Sequence, residues 1–304
     1  MLGVWTDHSR KDYSIPFTAG INTSAGCDNQ IEEYTYEVIF SPADTADTDR
    51  GVAVLLKHGA LVTGTVLTET GDYRYLQGEW NNNELWLSAF DGTHLFYLSG
   101  EVKGDSITHG VFLSGKHWQE PWIAVKSNSN TLRNPYDITT TQQSQNPTFT
   151  VLNSNGSPVV FDSSTWKNRV SIIQIMGSWC PNCTDESRFL KELYSQNKNS
   201  DLQIIPVVFE RGDDIPAACK RVANQFNQLQ LPYSFYYGGK ANKDEAQKTL
   251  NFLTEVHSFP TTVFIDKKGA IRRVFTGYYG PGTHNEHEKH TAEIRALVAG
   301  LLAE

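Results

Sequence analysis

The sequence predicts two domains of different class: an N-terminal all-β antiparallel barrel or sandwich, and a C-terminal α/β domain. With 304 residues the chain is about twice the common domain size, so each half can bury a core of its own. Short apolar-polar alternations dominate the first half, and apolar runs separated by helical patterns dominate the second. We predict domains at 1–135 and 147–304, joined by a polar linker at 136–146.

Period-two alternation runs from about Glu33 to Val125 and is broken at short intervals by Gly, Asn and Asp. This pattern is typical of an antiparallel meander. The Asn81–Asn83 cluster and the Asp91–Gly92 pair can adopt the positive φ angles that tight hairpins need. We therefore expect strands and hairpins here, without a helix of consequence.

The next stretch, Lys126–Phe149, is rich in Thr, Asn and Gln and contains Pro135 and Pro147. Its composition is that of an exposed connector.

Beyond this connector, strands are predicted to alternate with helices. Val170–Gly177 ("VSIIQIMG") and Leu202–Glu210 ("LQIIPVVFE") are continuous apolar runs, typical of strands covered on both faces. Helical patterns follow each run, and a last helix is expected from about Asn285 to Leu302. Turns at Asn155–Gly156 and Gly269 predict two hairpins. Such alternation indicates a layered α/β sheet.

Charge and composition argue against some classes of partner. The net charge is -8 and no dense Lys/Arg block is present, which disfavours nucleic acid or an anionic membrane as the main partner. The sequence contains no apolar run of transmembrane length and none near its start that fits a signal peptide. We expect a soluble, extracytoplasmic protein, whose anchoring to a membrane would need a further N-terminal segment.

Four cysteines are too few for a disulfide-scaffolded protein. Cys27 and Cys219 are each expected to be a buried apolar side chain or an unpaired thiol, although a bridge between them stays open. Cys180 and Cys183 form a C-x-x-C pair, for which zinc is the common alternative. A structural zinc site needs four ligands, and no second pair is present.

The nearest candidates for further zinc ligands are His284, His287 and His290, which lie far downstream. We expect them on a solvated helix face. No metal and no cofactor are predicted.

A redox role explains more of the residues around the pair. Cys180 is predicted at the end of a buried strand and the start of a helix, where free backbone N–H groups and the helix dipole stabilise a thiolate. It would be the attacking sulfur, and the more buried Cys183 the resolving thiol. Pro181 suits the first helical turn. Trp179 would form a flat apolar shoulder for a polypeptide partner.

A second motif, Phe259-Pro260-Thr261, stands directly before a strongly apolar strand. Cis peptide bonds occur mainly at X-Pro, and a proline at a strand start leaves a backbone edge free. On the local sequence alone, an ordinary trans proline remains open.

Together the motifs W-C-x-x-C and F-P-T-T-V-F-I-D-x-x-G resemble the thioredoxin fold, and more narrowly the TlpA-like thiol-disulfide oxidoreductases. The resemblance extends from about Asn146 to Glu304 and implies an additional strand-helix insertion between the motifs. It also implies that Cys180 is the nucleophile, Cys183 the resolving cysteine and Pro260 a cis proline packed against them. Substrate contacts are expected at Trp179, Pro181, Phe259, Pro260 and Thr261.

The sequence departs from thioredoxin itself at a proton-accepting position. Gln174 stands six residues before the nucleophile, where thioredoxin keeps a buried Asp, and an amide cannot accept the proton of Cys183. TlpA-like proteins often carry a Glu three residues after the second cysteine, and Glu186 occupies that place. We assign Glu186 the proton relay. The alternative is an exposed Glu in the first helical turn, favoured by the helix dipole.

The resemblance implies a thiol-disulfide oxidoreductase of the bacterial periplasm or envelope that reduces disulfides of exported proteins and receives electrons from an upstream thiol-disulfide donor. A peroxiredoxin is disfavoured, because the P-x-x-x-[TS]-x-x-C pattern is absent before Cys180. The remaining alternative is a binding module, in which the β domain recognises a ligand or partner and the second half is accessory.

Overall fold

A computed structural model describes residues 2–6, 11–18, 31–44, 49–92, 94–127, 132–198 and 200–304. These residues form two compact units: the first spans Met1–Leu67 and Tyr73–Leu132, and the second Thr68–Asp72 and Arg133–Glu304. Cys27 lies outside the described residues.

Strands and turns make up the described chain up to residue 127. The strands are β1 (Leu2–Thr6), β2 (Ser14–Thr18), β3 (Glu32–Phe40), β4 (Arg50–His58), β5 (Leu61–Thr68), β6 (Gly71–Asp72), β7 (Leu76–Asn81), β8 (Glu84–Phe90), β9 (Leu95–Lys103), β10 (Ser106–Ser114) and β11 (Trp118–Lys126).

Eight of these strands form an antiparallel barrel in the order β4-β3-β11-β10-β9-β8-β7-β5, which closes through the pairing of β4 with β5. Alternate residues of each strand fill the interior, among them Tyr36, Val38 and Phe40 of β3. Asn82, at φ +52°, turns the hairpin between β7 and β8. The predicted all-β barrel and its hairpin at Asn81–Asn83 are confirmed.

From Phe149 onward, strands and helices alternate. The strands are β12 (Phe149–Leu152), β13 (Pro158–Phe161), β14 (Val170–Met176), β15 (Leu202–Glu210), β16 (Tyr236–Lys240), β17 (Thr261–Ile265) and β18 (Ile271–Thr276). The helices are α1 (Ser163–Trp166), α2 (Pro181–Gln196), α3 (Ile215–Leu229), α4 (Lys243–Thr249) and α5 (Asn285–Ala303), with a 3-10 turn at Pro281–Thr283.

The strands form one mixed sheet in the order β13-β12-β16-β15-β14-β17-β18. β14 pairs in parallel with β15, and β15 with β16, whereas β17 and β18 are antiparallel. Every residue of β14 is buried, as its continuous apolar run predicts. The predicted α/β sheet is confirmed. Between β15 and β17 the chain forms α3, β16 and α4, in the region where the resemblance implies an additional strand and helix.

Successive residues of the central strands point to opposite faces of the sheet, so their side chains belong to two different apolar clusters. Ile173 and Ile175 of β14 join Trp166 and Phe252 in one cluster. Met176 belongs to the other, together with Cys180, Cys183, residues of α3 and the half-buried Trp179. The cysteine pair is thus part of a packed core and is not on an open surface.

Residues 133–148 belong to the second unit and bridge to its other segments. Thr141 forms a bridge with Leu253, and Gln145 forms one with Ala270. None of the helices in the described part of the chain is long and apolar enough to span a membrane.

The expectation of a solvated helix face at His284, His287 and His290 is wrong for His290. Its ring is only 3 % exposed and lies 4.0 Å, centroid to centroid, from Phe275, with Tyr278 and Tyr279 also close. The charged residues next to these histidines in the sequence suggest an exposed helix, but one face of α5 packs on the sheet. Burial, and to a smaller extent His287, lowers the pKa of His290 to about 3.

We expect this buried histidine to make the second unit acid-labile. The folded state holds His290 neutral down to about pH 3, whereas the unfolded chain takes up the proton near pH 6.5. Stability is therefore complete above about pH 6.5 and falls as the pH decreases below it, by at most about 1.4 kcal/mol per pH unit.

Denaturant unfolding followed by the helical circular-dichroism signal, at about pH 7 and about pH 5, measures this loss. His290→Phe should be less sensitive to pH than the wild type, while His109→Gln, at a side chain 76 % exposed on the barrel, should behave like the wild type. Equal acid sensitivity of the wild type and His290→Phe would contradict the assignment.

Candidate redox site

The cysteine pair lies where β14 ends and α2 begins. Cys180 and Cys183 form a disulfide. Cys180 is the N-cap of α2, and its Sγ accepts the backbone N–H of Cys183 at 3.1 Å, while Pro181 occupies the first helical turn. A sulfur that accepts a free N–H at a helix N-terminus is stabilised in its thiolate form. Cys180 is 5 % exposed and Cys183 fully buried, as predicted.

The loop before the nucleophile is held by the end of β15. Glu210 is 1 % exposed and accepts hydrogen bonds from the backbone N–H of Ser178 at 2.6 Å and from its hydroxyl at 2.9 Å. The indole N–H of Trp179 donates to the carbonyl of Phe209 at 2.9 Å. The guanidinium of Arg211 lies over the indole ring, 4.8 Å from its centroid. These contacts fix the orientation of Trp179 beside Cys180.

The second motif lies against the same sulfur. The Phe259–Pro260 peptide bond is cis, as the resemblance implies. The carbonyl oxygen of Phe259 is 3.4 Å from Cys180 Sγ, and its ring meets Trp179 edge-on at 5.5 Å. The hydroxyl of Thr261 is buried and donates to the carbonyl of Ser258 at 2.8 Å. Thr261 is fully buried, and its backbone lies in β17 between β14 and β18, so the substrate contact expected there has no exposed surface.

Glu186 is buried on the inner face of α2 and does not point to solvent. It is 1 % exposed; Oε1 accepts the hydroxyl of Thr262 at 2.5 Å, and Oε2 accepts the amide of Gln174 at 2.9 Å. Burial raises the pKa of Glu186 to about 7, against the lowering effect of these two hydrogen bonds. The exposed first-turn glutamate, the alternative left open by the sequence, is therefore wrong.

Gln174 connects this carboxylate to the resolving cysteine. Its amide N–H also donates to the carbonyl of Cys183 at 3.2 Å. Ser187 donates to both Gln174 Oε1 at 3.1 Å and the carbonyl of Cys183 at 2.9 Å. Glu186 and Cys183 thus share a hydrogen-bonded network, which lies at the position where thioredoxin keeps its aspartate.

Several residues of the site are absent from the predictions made on the sequence. Thr262 could have been found, since it directly follows the F-P-T motif and the antiparallel register places it opposite Gln174. Ser178 and Glu210 are brought together by neighbouring strands and carry no sequence signal. The same is true of Asp72, whose carboxylate accepts the backbone N–H of Gly280 at 2.6 Å within the second unit.

The remaining cysteine that the structure describes is not part of a bridge. Cys219 is a free, buried thiol of α3, and burial, with a smaller contribution from Glu210, raises its pKa. Among the described residues, no group of three or more His, Cys, Asp or Glu side chains is arranged to hold a metal ion.

Comparisons with known proteins find similarity in the half of the chain that contains Cys180, Cys183 and Pro260. Residues 141–291 match the Redoxin family. The thiol-disulfide oxidoreductase ResA of Bacillus thuringiensis is 26 % identical over 131 residues, which cover 43 % of this chain and 67 % of that protein. The thiol:disulfide interchange protein DsbE of Pseudomonas aeruginosa is 29 % identical over 111 residues, which cover 36 % of this chain and 53 % of that protein.

Among solved structures, a secreted thiol-disulfide isomerase from Corynebacterium glutamicum matches with a TM-score of 0.42 and 16 % identity, covering 58 % of this chain and 99 % of that one. The disulfide at Cys180–Cys183 lies within the matched residues and agrees with the thiol-disulfide chemistry in the names of these relatives. Residues 141–291 are therefore a Redoxin domain, and this half of the chain belongs to the thiol-disulfide oxidoreductases of the thioredoxin fold.

Proposed function

We propose that the protein reduces disulfides of exported proteins in the bacterial periplasm or envelope, through a dithiol-disulfide cycle at Cys180 and Cys183. The observation that carries the proposal is the position of Cys180 Sγ, which lies at the N-terminus of α2 and 3.4 Å from the carbonyl oxygen of Phe259. A thiolate is stabilised there, and of the two cysteines only Cys180 has any exposed surface.

In the proposed cycle, the thiolate of reduced Cys180 attacks one sulfur of a substrate disulfide and forms a mixed disulfide, releasing the other substrate sulfur as a thiolate. Cys183 then loses its proton and attacks Cys180 Sγ. The substrate leaves as a dithiol after protonation, and the Cys180–Cys183 disulfide forms. Two electrons have passed to the substrate, and an upstream dithiol protein returns them.

Glu186 accepts the proton of Cys183 in this scheme. The support is its buried position in the network that includes the carbonyl of Cys183, together with a pKa raised to about 7. A carboxyl group of that pKa exchanges protons in both directions near neutral pH. The hydrogen bonds from Thr262 and Gln174 hold the carboxylate in place.

Substrate polypeptide would bind along the apolar rim of Cys180. Trp179 and Phe259, whose rings meet edge-on, form its apolar part, and Pro181 flanks it on α2. The backbone of Phe259, which precedes the cis proline Pro260 and whose carbonyl oxygen lies at Cys180 Sγ, would pair with an extended segment of the substrate. Such backbone pairing recognises many sequences, as a general disulfide reductant requires.

The compartment and the direction of electron flow rest on the resemblance to the TlpA-like group and on redox conditions. Disulfides form and persist in oxidising compartments, where a dedicated reductant has substrates.

A groove on the barrel favours a binding role for the first unit as a second candidate. It has a volume of about 790 Å³ and is lined by exposed aromatic rings, Trp86 and Tyr97, and by amide and carboxylate groups at Asn82, Asn83, Glu84 and Glu101. Aromatic and convergent polar groups are typical of ligand sites. The thioredoxin-fold half would then be accessory.

Titration of the protein against mixtures of reduced and oxidised glutathione separates the two candidates. We expect the Cys180–Cys183 couple to exchange fully and to be oxidised at glutathione ratios that leave single exposed thiols reduced, because the two cysteines are held side by side and the disulfide closes intramolecularly. A pair that does not exchange would favour the binding module.

Cys183→Ala should accumulate a covalent complex with a disulfide protein such as insulin, because the resolving thiol is missing and the mixed disulfide at Cys180 persists. Non-reducing electrophoresis and mass spectrometry of the adduct measure it. Cys180→Ala is the matched control and should form none, since Cys183 is fully buried. Absence of any adduct, combined with an inactive wild type, would refute the proposed cycle.

Glu186→Gln should slow the resolving step by about tenfold or more, because the amide cannot accept the proton. In the wild type this step should speed up as the pH rises through about 7, when Glu186 ionises. The variant should lose that inflection. Glu192→Gln, at an exposed residue of α2, is the control and should retain it. An unchanged pH profile in Glu186→Gln would exclude the relay.

A further inference from the structure

The segment Thr68–Asp72 forms a rigid turn within the second unit. The hydroxyl of Thr68 accepts the backbone N–H of Thr70 at 3.3 Å and donates to the carbonyl of Gly71 at 3.1 Å. Glu69 accepts two hydrogen bonds from the guanidinium of Arg133, at 2.8 and 2.5 Å. Bidentate pairs of this kind fix both partners. The segment is thus pre-shaped and tied to its own unit at one end.

At its other end the segment contacts the cysteine motif. The side-chain amide of Asn182, which stands between the two cysteines, donates to the backbone carbonyl of Asp72 at 3.2 Å. Gly71, at φ +139°, passes so close to this amide that a Cβ there would lie inside van der Waals contact. Only glycine combines that backbone angle with that approach.

The same segment holds the turn that follows β18. Asp72 Oδ2 accepts the backbone N–H of Gly280 at 2.6 Å. Gly277 packs against the backbone of Thr70 and Gly71, at a distance where a Cβ would clash. The N–H of Gly277 in turn donates to the carbonyl of Pro260 at 2.8 Å. Asp72 therefore connects the two walls of the redox site, the start of α2 and the cis-proline loop.

We propose that Asp72 is a positioning residue of the redox site, which links Asn182 to the turn Gly277–Gly280 and thereby favours the closed disulfide over the dithiol. The inference rests on the proposed function and adds a regulator of its redox equilibrium. The inference requires the link to be weaker in the dithiol, in which the first turn of α2, containing Asn182, is no longer constrained by the bond between the two sulfur atoms. A link that is stronger in the disulfide form than in the dithiol stabilises the disulfide.

The equilibrium to be measured is balanced with glutathione. The protein dithiol and one molecule of oxidised glutathione give the protein disulfide and two molecules of reduced glutathione. Loss of the link should lower this equilibrium constant by about three- to tenfold, the equivalent of one hydrogen bond. Asp72→Ala, Asn182→Ala and Gly71→Ala should all change it in this direction, because each breaks the same link.

Two controls separate positioning from general destabilisation. Asp72→Asn keeps a side-chain oxygen that can accept from Gly280 and should restore the equilibrium constant to within about twofold of the wild type. Gly59→Ala introduces the same substitution as Gly71→Ala at another positive-φ glycine, which has no atom within 4 Å of its Cβ position, and should leave the constant unchanged. Circular dichroism establishes that each variant is folded.

The double variant Asp72→Ala/Asn182→Ala should differ little from the larger single effect, since the two residues share one link. Equilibrium constants equal to the wild type in folded Asp72→Ala and Gly71→Ala would overturn the inference, as would fully additive effects. If the wild type reduces insulin and the variants have the same equilibrium constant as the wild type, the link is refuted but the proposed function is not. A wild type that does not exchange with glutathione refutes the proposed function.

Discussion

The burial of a reactive sulfur pair at the junction of β14 and α2 is the constraint on which the rest of the site depends. Cys180 and Cys183 share a core cluster with Met176 and residues of α3, which leaves 5 % of Cys180 and none of Cys183 exposed. Thiolates are poorly stabilised in apolar surroundings. A helix N-terminus at Cys180 compensates for this burial, and we propose that the buried Glu186 accepts the proton of Cys183.

The proposed proton acceptor lies on a different element from the aspartate of thioredoxin. Gln174 stands in the central strand, where thioredoxin has an aspartate, and the carboxylate lies instead on the facing helix at Glu186. Because Gln174 donates to both Glu186 and the carbonyl of Cys183, it joins the two sites into one network. Burial then gives the carboxyl group a pKa suited to exchange near pH 7.

The site also depends on parts of the chain that are distant in sequence. Glu210 fixes Ser178, Thr262 fixes Glu186, and Asp72 contacts both Asn182 and Gly280. Supporting groups of this kind hold reacting atoms in register, and small displacements at such positions can have large effects on reactivity. The proposed role of Asp72 extends the same principle to the balance between dithiol and disulfide.

By itself, the sequence determined the elements and the reactive residues, because both are local. Period-two alternation, apolar runs and Asn/Gly turns predict the barrel strands and the α/β half, and the C-x-x-C spacing predicts the sulfur pair. The cis bond at Pro260 is implied only by the resemblance to TlpA-like proteins. Tertiary structure alone decided the burial of His290 and Glu186, and the contacts of Asp72 and Glu210 with the cysteine motif. The environments of these side chains depend on which strands and helices pack together, and no local pattern encodes contacts between residues so far apart in the chain.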